Sequence, residues 1–476
     1  MRKAILWQLS AVEQAEGVRE GRWSAEMLTT AVLERIADVN PRLNAYVTMN
    51  DQALDEARAA DRRQAAGEPT GPLHGVPFSV KDLIPTKGLR TTLGSLAHQD
   101  WVPDQDEISV ARLREAGGIL IGKTNTRELG YGVVTDNELF GPTRNPWDVG
   151  MTAAGSSGGA AAAVAAGMGS IALGSDGGGS LRVPAAICGV FALKPTFGVV
   201  PLYPSSRLPL RTGLNSWESL ECIGPITRTV ADSALVMSVI AGVDVRDRHS
   251  VPLDMGHGTS RQRDLVLGYS PSLAGAEVDS EVAEIVEAAV RAVASRQSWI
   301  VREASPQLPA LPDLREIFAA TVAMDTDLEE LRKLADHVTV SPDIRELVDR
   351  QWTGDELTRA RRNRQIVYDT MRRFGELHDV LLTPTTATPA FPVGMRFPED
   401  GDCGIADGRQ WSPFAFLSNL TGQPSVSIPV GRTRSGLPVG VQVSGRHFAD
   451  DTLLDVAQAF EQVHPWDHSF QYGAPE

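Results

Sequence analysis

The stretch Ala154-Gly155-Ser156-Ser157-Gly158-Gly159, followed by Gly174-Ser175-Asp176-Gly177-Gly178-Gly179-Ser180-Leu181-Arg182, decides how this chain is read. Its first half enters an Ala-rich helical run at 158–166, and its second half follows a short apolar run at 171–173. A further apolar run at 190–193 comes next. Helix and strand patterns alternating over so few residues predict an α/β fold, with glycine-rich loops at the strand ends.

The same alternation extends upstream. The strand pattern at 76–80 ends in Lys81 and Asp82, which delivers the Lys81 ammonium to the sheet edge. A helix pattern at 109–116 separates it from a second strand pattern at 118–121. Residues 10–65 read as two or three helices, interrupted at Asn40-Pro41 and again by the charged positions 55–63. Downstream, 201–221 and 243–263 show no clear period and read as surface loops. An amphipathic helix is expected at 278–296, with Asp279 as its N-cap, and the charged region 314–374 is rich in helix patterns. Strand patterns return at 380–382, 425–430 and 439–443, before a closing amphipathic helix at 451–463. Because α/β alternation both precedes and follows it, the helical region reads as an insertion on one sheet. The expectation is a single domain over 1–476: N-terminal helices in 1–70, a core at 75–225, a helix-rich segment at 265–376, and the rest of the core at 377–476.

With 42% hydrophobic and 22% charged residues in 476, the chain can bury a large core. A formal net charge of -15 opposes contact with nucleic acid and with anionic lipid, so neither is an expected partner. The most apolar long window, 160–174, falls short of the roughly 20 residues that cross a bilayer. Cys188, Cys222 and Cys403 are odd in number and far apart, without the close pairs of metal or redox motifs, which points to a reducing, cytoplasmic setting. The apolar stretch after Arg2 and Lys3 is broken by Gln8, Ser10 and Glu13, so no signal-peptide core is expected there.

Two motif matches mislead. Residues 117–124 satisfy the phosphate-loop spacing Gly-x-x-x-x-Gly-Lys-Thr, but 118–121 are themselves the strand, leaving no loop of N–H donors to cradle a phosphate. Gly155, Ser157 and Gly159 satisfy the nucleophile-elbow spacing. An elbow follows an apolar strand, whereas 145–154 contain Pro146, Asp148 and Gly150. It would also need a partner such as His447, and a lone histidine is more often structural.

The stronger constellation is Lys81, the loop 155–159 and the loop 177–180. Taken singly, Lys81 could be a solvated lysine and each Gly/Ser cluster a turn. Taken together, they resemble the amidase-signature family. Similarity runs through 154–159, 174–186 and 193–196, and extends to 75–77, Lys81-Asp82, 122–125, 141–147, 382–385 and 420–424. The separation of Ser156 from Ser180 is that of the family's bridging and nucleophilic serines.

The resemblance implies one α/β domain with a central mixed β-sheet flanked by helices on both faces, and no metal or organic cofactor. It implies Ser180 as nucleophile, Ser156 as proton relay and Lys81 as base, acting through an acyl-enzyme. Burial is expected to disfavour the Lys81 ammonium and leave a free amine. The main-chain N–H groups of Gly177, Gly178, Gly179 and Ser180 are the expected oxyanion hole. Gly155 precedes Ser156 across an expected cis peptide, and Asp176 and Arg182 are expected to pair beside the loop. The chain departs from the family pattern at Ala153 and Ala154, where Pro-Gly is usual, at Ala160, where Ser is frequent, and at Gly177, where a Thr-like residue is common. Gly177 leaves two outcomes open, a looser oxyanion loop or room for a bulkier group.

Substrate is the least constrained point, since one fold and triad serve many amides. A small or aryl amide is the first reading, and a carbamate (urethane) or oligoamide is the alternative. Two other classes stay open: the amidase component of a tRNA-dependent amidotransferase, and a catalytically silent binding protein of the same fold. A homodimer is compatible with either enzyme reading.

Overall fold

The computed structural model describes residues 6–204, 217–253, 264–399 and 410–466. Cys403 lies outside the described residues, as do 205–216 and 254–263 of the two irregular stretches. The strands in chain order are β1 (Tyr46–Met49), β2 (Pro77–Lys81), β3 (Ile119–Thr124), β4 (Ile171–Asp176), β5 (Phe191–Lys194), β6 (Cys222–Thr227), β7 (Val266–Tyr269), β8 (Ile300–Glu303), β9 (Val380–Pro384), β10 (Ser425–Arg432) and β11 (Pro438–Gly445). They join one sheet in the order β1-β3-β2-β4-β6-β5-β10-β11-β9-β7-β8. β2 runs parallel to both β3 and β4, and β7 parallel to both β8 and β9, while the strands between these groups pair antiparallel. The sheet is therefore mixed, as the resemblance implied.

Both faces of the sheet are covered, and the strand residues divide between the layers with the period of two that a pleat imposes. Ile119 and Ile121 pack under Ala25–Leu43, Ala53–Ala65 and the Ala-rich Gly158–Ala165, while Leu120 between them joins the opposite layer. That layer holds Val230–Ile240, Ser280–Gln297 and Asp450–Val463. A third apolar cluster lies under the helices Leu311–Asp325, Leu328–His337, Pro342–Asp349 and Gly354–Leu377, the inserted helical segment. Among the described residues no helix is long and apolar enough to cross a membrane.

Asp279 caps the helix Ser280–Gln297 as expected, its carboxylate accepting from the N–H groups of Glu281 and Val282. Three local expectations are corrected. The helix Ala25–Leu43 passes through Asn40-Pro41 without a break. Pro41 falls in its last turn, and Asn40 Oδ1 accepts from the N–H groups of Ala45 and Tyr46, both at 2.8 Å, so a side chain fastens the exit. The charged positions 55–63 do not interrupt a helix either. They form the outer face of Ala53–Ala65, whose Ala53, Ala57 and Ala60 are buried at helical spacing. Finally, the stretch 217–221 is no surface loop, because Trp217, Leu220 and Glu221 are buried.

Candidate active site

Lys81 is the last residue of β2, between two parallel neighbours, so three strands end on the same side of the sheet, the side on which open α/β sheets place their ligand crevice. The two Gly/Ser loops fill it. Lys81 Nζ lies 2.7 Å from Ser156 Oγ and 3.1 Å from Ser175 Oγ. The Ser157 N–H donates to the Ser180 carbonyl at 3.3 Å, which seats the second loop against the first. Lys81, Ser156 and Ser180 are 0%, 1% and 7% exposed, so bulk water is largely excluded from all three.

The Gly155-Ser156 peptide is cis. Glycine is required before it by space, since a Cβ on Gly155 would lie 2.8 Å from the Thr135 nitrogen. Thr135 Oγ1 and the Arg127 N–H both donate to the Ser156 carbonyl at 3.2 Å, fixing the loop from the far side. Ala154, one of the departures from the family pattern, sits at φ 55, a left-handed conformation that glycine adopts more readily.

The second loop is organised by Asp176. Its carboxylate accepts from the N–H of Gly179 at 2.7 Å and of Leu181 at 3.1 Å, and pairs with Arg182 through Nε and Nη2, both at 3.0 Å. Burial alone would raise this carboxyl, but the adjacent guanidinium outweighs it and holds Asp176 at about 2. The Gly179 N–H is thus turned toward Asp176, which singles it out from the four main-chain donors named for the oxyanion hole.

Side chains brought from elsewhere press on the three glycines. A Cβ on Gly177 would lie 2.5 Å from the Trp217 ring, one on Gly178 2.7 Å from Phe318 Cζ, and one on Gly179 2.3 Å from Ala415 Cβ. Trp217 and Phe318 belong to an aromatic row, with ring centroids 5.1 Å apart for Tyr131–Trp217, 6.0 Å for Trp217–Phe318 and 5.2 Å for Phe318–Phe416. The missing side chain at Gly177 leaves the place that the indole of Trp217 takes.

Lys123 and Ser157 have structural partners of their own. Lys123 of the phosphate-loop match lies in β3, buried, with Nζ donating to Thr86 Oγ1 at 2.8 Å and to the Ile84 carbonyl. Burial pushes the Asp82 carboxyl up and the Lys123 ammonium down, and their mutual attraction opposes both shifts. Ser157 of the elbow match spends its hydroxyl on β4, donating to the Ser175 carbonyl at 3.2 Å and accepting from the Ser175 N–H at 3.4 Å. His447 packs on Phe448 at 4.2 Å and Tyr368 at 6.4 Å between ring centroids. Among the described residues no group of three or more His, Cys, Asp or Glu side chains converges as a metal ion requires.

Sequence reasoning missed Trp217, Phe318, Phe416, Asn419 and Gln442. Gln442 carried a signal, a polar residue inside the apolar run 439–443 of a strand buried on both faces. The aromatic residues carried none, because nothing local distinguishes them from ordinary core.

The fold is of α/β architecture with paired Gly/Ser loops at the strand ends, and comparison with known proteins gives it a class. The amidase family model matches residues 27–454. The chain is 39% identical to an acylamidase from Rhodococcus erythropolis over 98% of both chains. It is 36% identical to one of the subunits of the glutamyl-tRNA(Gln) amidotransferase of Moorella thermoacetica, over 96% of this chain and 97% of that one. Among solved structures, a bacterial aryl acylamidase of the amidase-signature family superposes with a TM-score of 0.90 at 29% identity, covering 98% of this chain and 99% of the other. The chain belongs to the amidase-signature family and is an amidase-type hydrolase acting on C–N bonds.

Proposed function

We propose that the chain hydrolyses an acylamide carrying an aryl or other apolar group, with Ser180 as nucleophile, Ser156 as relay and Lys81 as base. The observation that supports this most directly is the 2.7 Å contact between Lys81 Nζ and Ser156 Oγ, both buried. A neutral Lys81 amine takes the Ser156 hydroxyl proton while Ser156 takes that of Ser180, so the Ser180 oxygen attacks the carbonyl carbon without an imidazole. The carbonyl π pair moves onto oxygen, where main-chain N–H groups of the loop stabilise it. Gly177, Gly178 and Ser180 are the candidate donors, since Asp176 takes the Gly179 N–H. The proton returns through Ser156 to the leaving nitrogen, the C–N bond breaks and the amine departs. Water then cleaves the acyl-enzyme by the same relay.

The aromatic row beside Gly177 and Gly178 supports an apolar, planar substrate group, as does the likeness to a bacterial aryl acylamidase. A carbamate presents the same carbonyl and fits the same relay. The amidotransferase reading rests on 36% identity to a component of that enzyme, but apolar rings are a poor match for the ammonium and carboxylate of free glutamine. Buried, free Cys188 and Cys222 suit a cytoplasmic setting. The deciding experiment gives the isolated chain acyl anilides, aliphatic amides, carbamates and glutamine. Turnover of anilides without a partner, lost in Ser180→Ala, supports the proposal. Glutamine hydrolysis alone would overturn the substrate assignment, and an active Ser180→Ala would overturn the nucleophile.

A further inference from the structure

Two neutral amides from the C-terminal quarter of the chain close around the Asp176–Arg182 pair. Asn419, in the short helix Leu417–Thr421, donates from Nδ2 to the Asp176 carbonyl at 2.8 Å, to Asp176 Oδ1 at 2.9 Å and to the Leu220 carbonyl at 3.1 Å. Its Oδ1 accepts from Arg182 Nη2 at 2.8 Å. Gln442, in β11, accepts from Arg182 Nη1 at 2.7 Å and donates to the Phe414 carbonyl at 3.1 Å. All four side chains are buried.

These contacts reach the nucleophile loop from both sides. Asp176 holds the N–H groups of Gly179 and Leu181, the residues on either side of Ser180 in the chain. Leu220 ends the turn whose Trp217 lies on Gly177, and Phe414 precedes Ala415, which lies on Gly179. Asn419 and Gln442 thus fix the ion pair that sets the loop backbone, and also the two walls that flank it. A guanidinium in water has five donors and many ways to turn; here each face of it is assigned.

We infer that Asn419 and Gln442 are positioning residues for the reaction: they hold the Asp176–Arg182 pair, and through it the main-chain donors and hydroxyl of Ser180, in the geometry that stabilises the tetrahedral intermediate. The inference rests on Ser180 being the nucleophile. Neither amide touches substrate. Their effect is on alignment, and displacement of catalytic groups by about 1 Å costs about 10²-fold in rate.

The test uses Asn419→Ser, which replaces the amide with a hydroxyl too short to reach its partners, and Gln442→Met, which keeps the length and removes the hydrogen bonds. Ser418→Ala serves as a control, because Ser418 Oγ bonds Ser444 Oγ at 3.1 Å between the same two elements without reaching the loop. Each variant is titrated with a serine-directed phosphonate, the labelled peptide is identified, and kcat is expressed per labelled site on an acyl anilide. The expected result is label on Ser180, kcat per site down 10- to 100-fold, KM within about threefold, and binding of a boronic-acid mimic of the tetrahedral intermediate weakened in proportion to kcat/KM. Ser418→Ala keeps wild-type kcat per site. A merely structural role would lower the labelled fraction and leave kcat per site unchanged, and that result overturns the inference. Label on a residue other than Ser180 overturns the nucleophile assignment, and the positioning role falls with it. If one variant fails to fold, the other carries the test alone.

Discussion

The indole of Trp217 stands where a side chain on Gly177 would have to go: a Cβ there would lie 2.5 Å from Cε3 of the ring. Gly177→Thr forces the ring or the loop to move, and overpacking of this kind costs about 1–3 kcal/mol. We expect a lower Tm and a loss of anilide turnover, and non-additive stability with Trp217→Ala: adding the alanine costs less in the Gly177→Thr background than in wild type. A single Gly177→Thr variant with unchanged Tm and turnover would show that the ring is not held against the loop.

Ser180→Ala is expected to abolish turnover with an unchanged Tm, because the hydroxyl it removes reacts and does not pack. Ser157→Ala should do the reverse. Its hydroxyl makes two hydrogen bonds to Ser175 of β4, and their loss costs about 1–3 kcal/mol of stability, with turnover per folded molecule within tenfold of wild type. Thermal melts and single-turnover rates on both variants separate the two roles, and the opposite assignment of effects would restore the nucleophile elbow.

Lys81→Arg should be as inactive on amides as Lys81→Ala, since a guanidinium keeps its proton at any working pH and cannot accept one from Ser156. His447→Ala, by contrast, should retain kcat within about tenfold, where loss of a general base costs about 10²-fold or more. Activity of wild type should fall on acidification, as protonation removes the Lys81 lone pair. Near wild-type amide turnover by the arginine variant would show that position 81 acts through charge alone.

Glu107 makes stability depend on pH. Its buried carboxylate caps the helix Ile108–Glu115, accepting from the Ser109 N–H at 2.7 Å, yet burial outweighs its hydrogen bonds and pushes it up to about 7 from 4.5. The folded state therefore binds the proton more tightly than the unfolded one. Its contribution is fully present below pH 4.5 and is lost as pH rises through about 7, with a slope of at most about 1.4 kcal/mol per pH unit. Denaturant melts across this window should show the wild type losing stability relative to Glu107→Gln. A difference between the two that is flat with pH rules out a raised carboxyl at this position.

Ala154 holds φ 55 while its N–H is bound by Thr152 Oγ1 at 3.0 Å and its carbonyl by the Thr135 N–H at 2.9 Å. An L-residue in this conformation costs about 1–2 kcal/mol. Ala154→Gly gives up one buried methyl and removes that cost, so the variant is expected to be neutral or up to about 1 kcal/mol more stable. A clear drop in Tm would mean that the methyl packs better than the backbone strains.

The alternation of strands and helices followed from patterns written over short spans, whereas the mixed pairing of the sheet and its cover on both faces were legible only through the resemblance to the amidase-signature family. Ile119, Leu120 and Ile121 alternate between layers, the buried alanines of Ala53–Ala65 recur at helical spacing, and Asp279 caps the helix after it. Misreadings arose where a local breaker was overruled by a contact outside its own turn. Pro41 is tolerated because Asn40 reaches across to Ala45 and Tyr46, and 217–221 is buried because an aromatic row and the glycine loop close over it.

By itself, the sequence determined the fold class and, through its resemblance to the amidase-signature family, the family and the candidates Lys81, Ser156 and Ser180, because strand periodicity and two glycine-rich loops at a set spacing are local properties of the chain. Only the tertiary structure decided what surrounds them. Trp217, Phe318, Phe416, Asn419 and Gln442 come from distant parts of the chain, and the Gly179 N–H is committed to Asp176 by the three-dimensional course of one loop. The physical reason is range: backbone preference acts over a few residues, whereas desolvating a buried ion pair or a ring face draws its partners from anywhere that packing brings within a few ångströms.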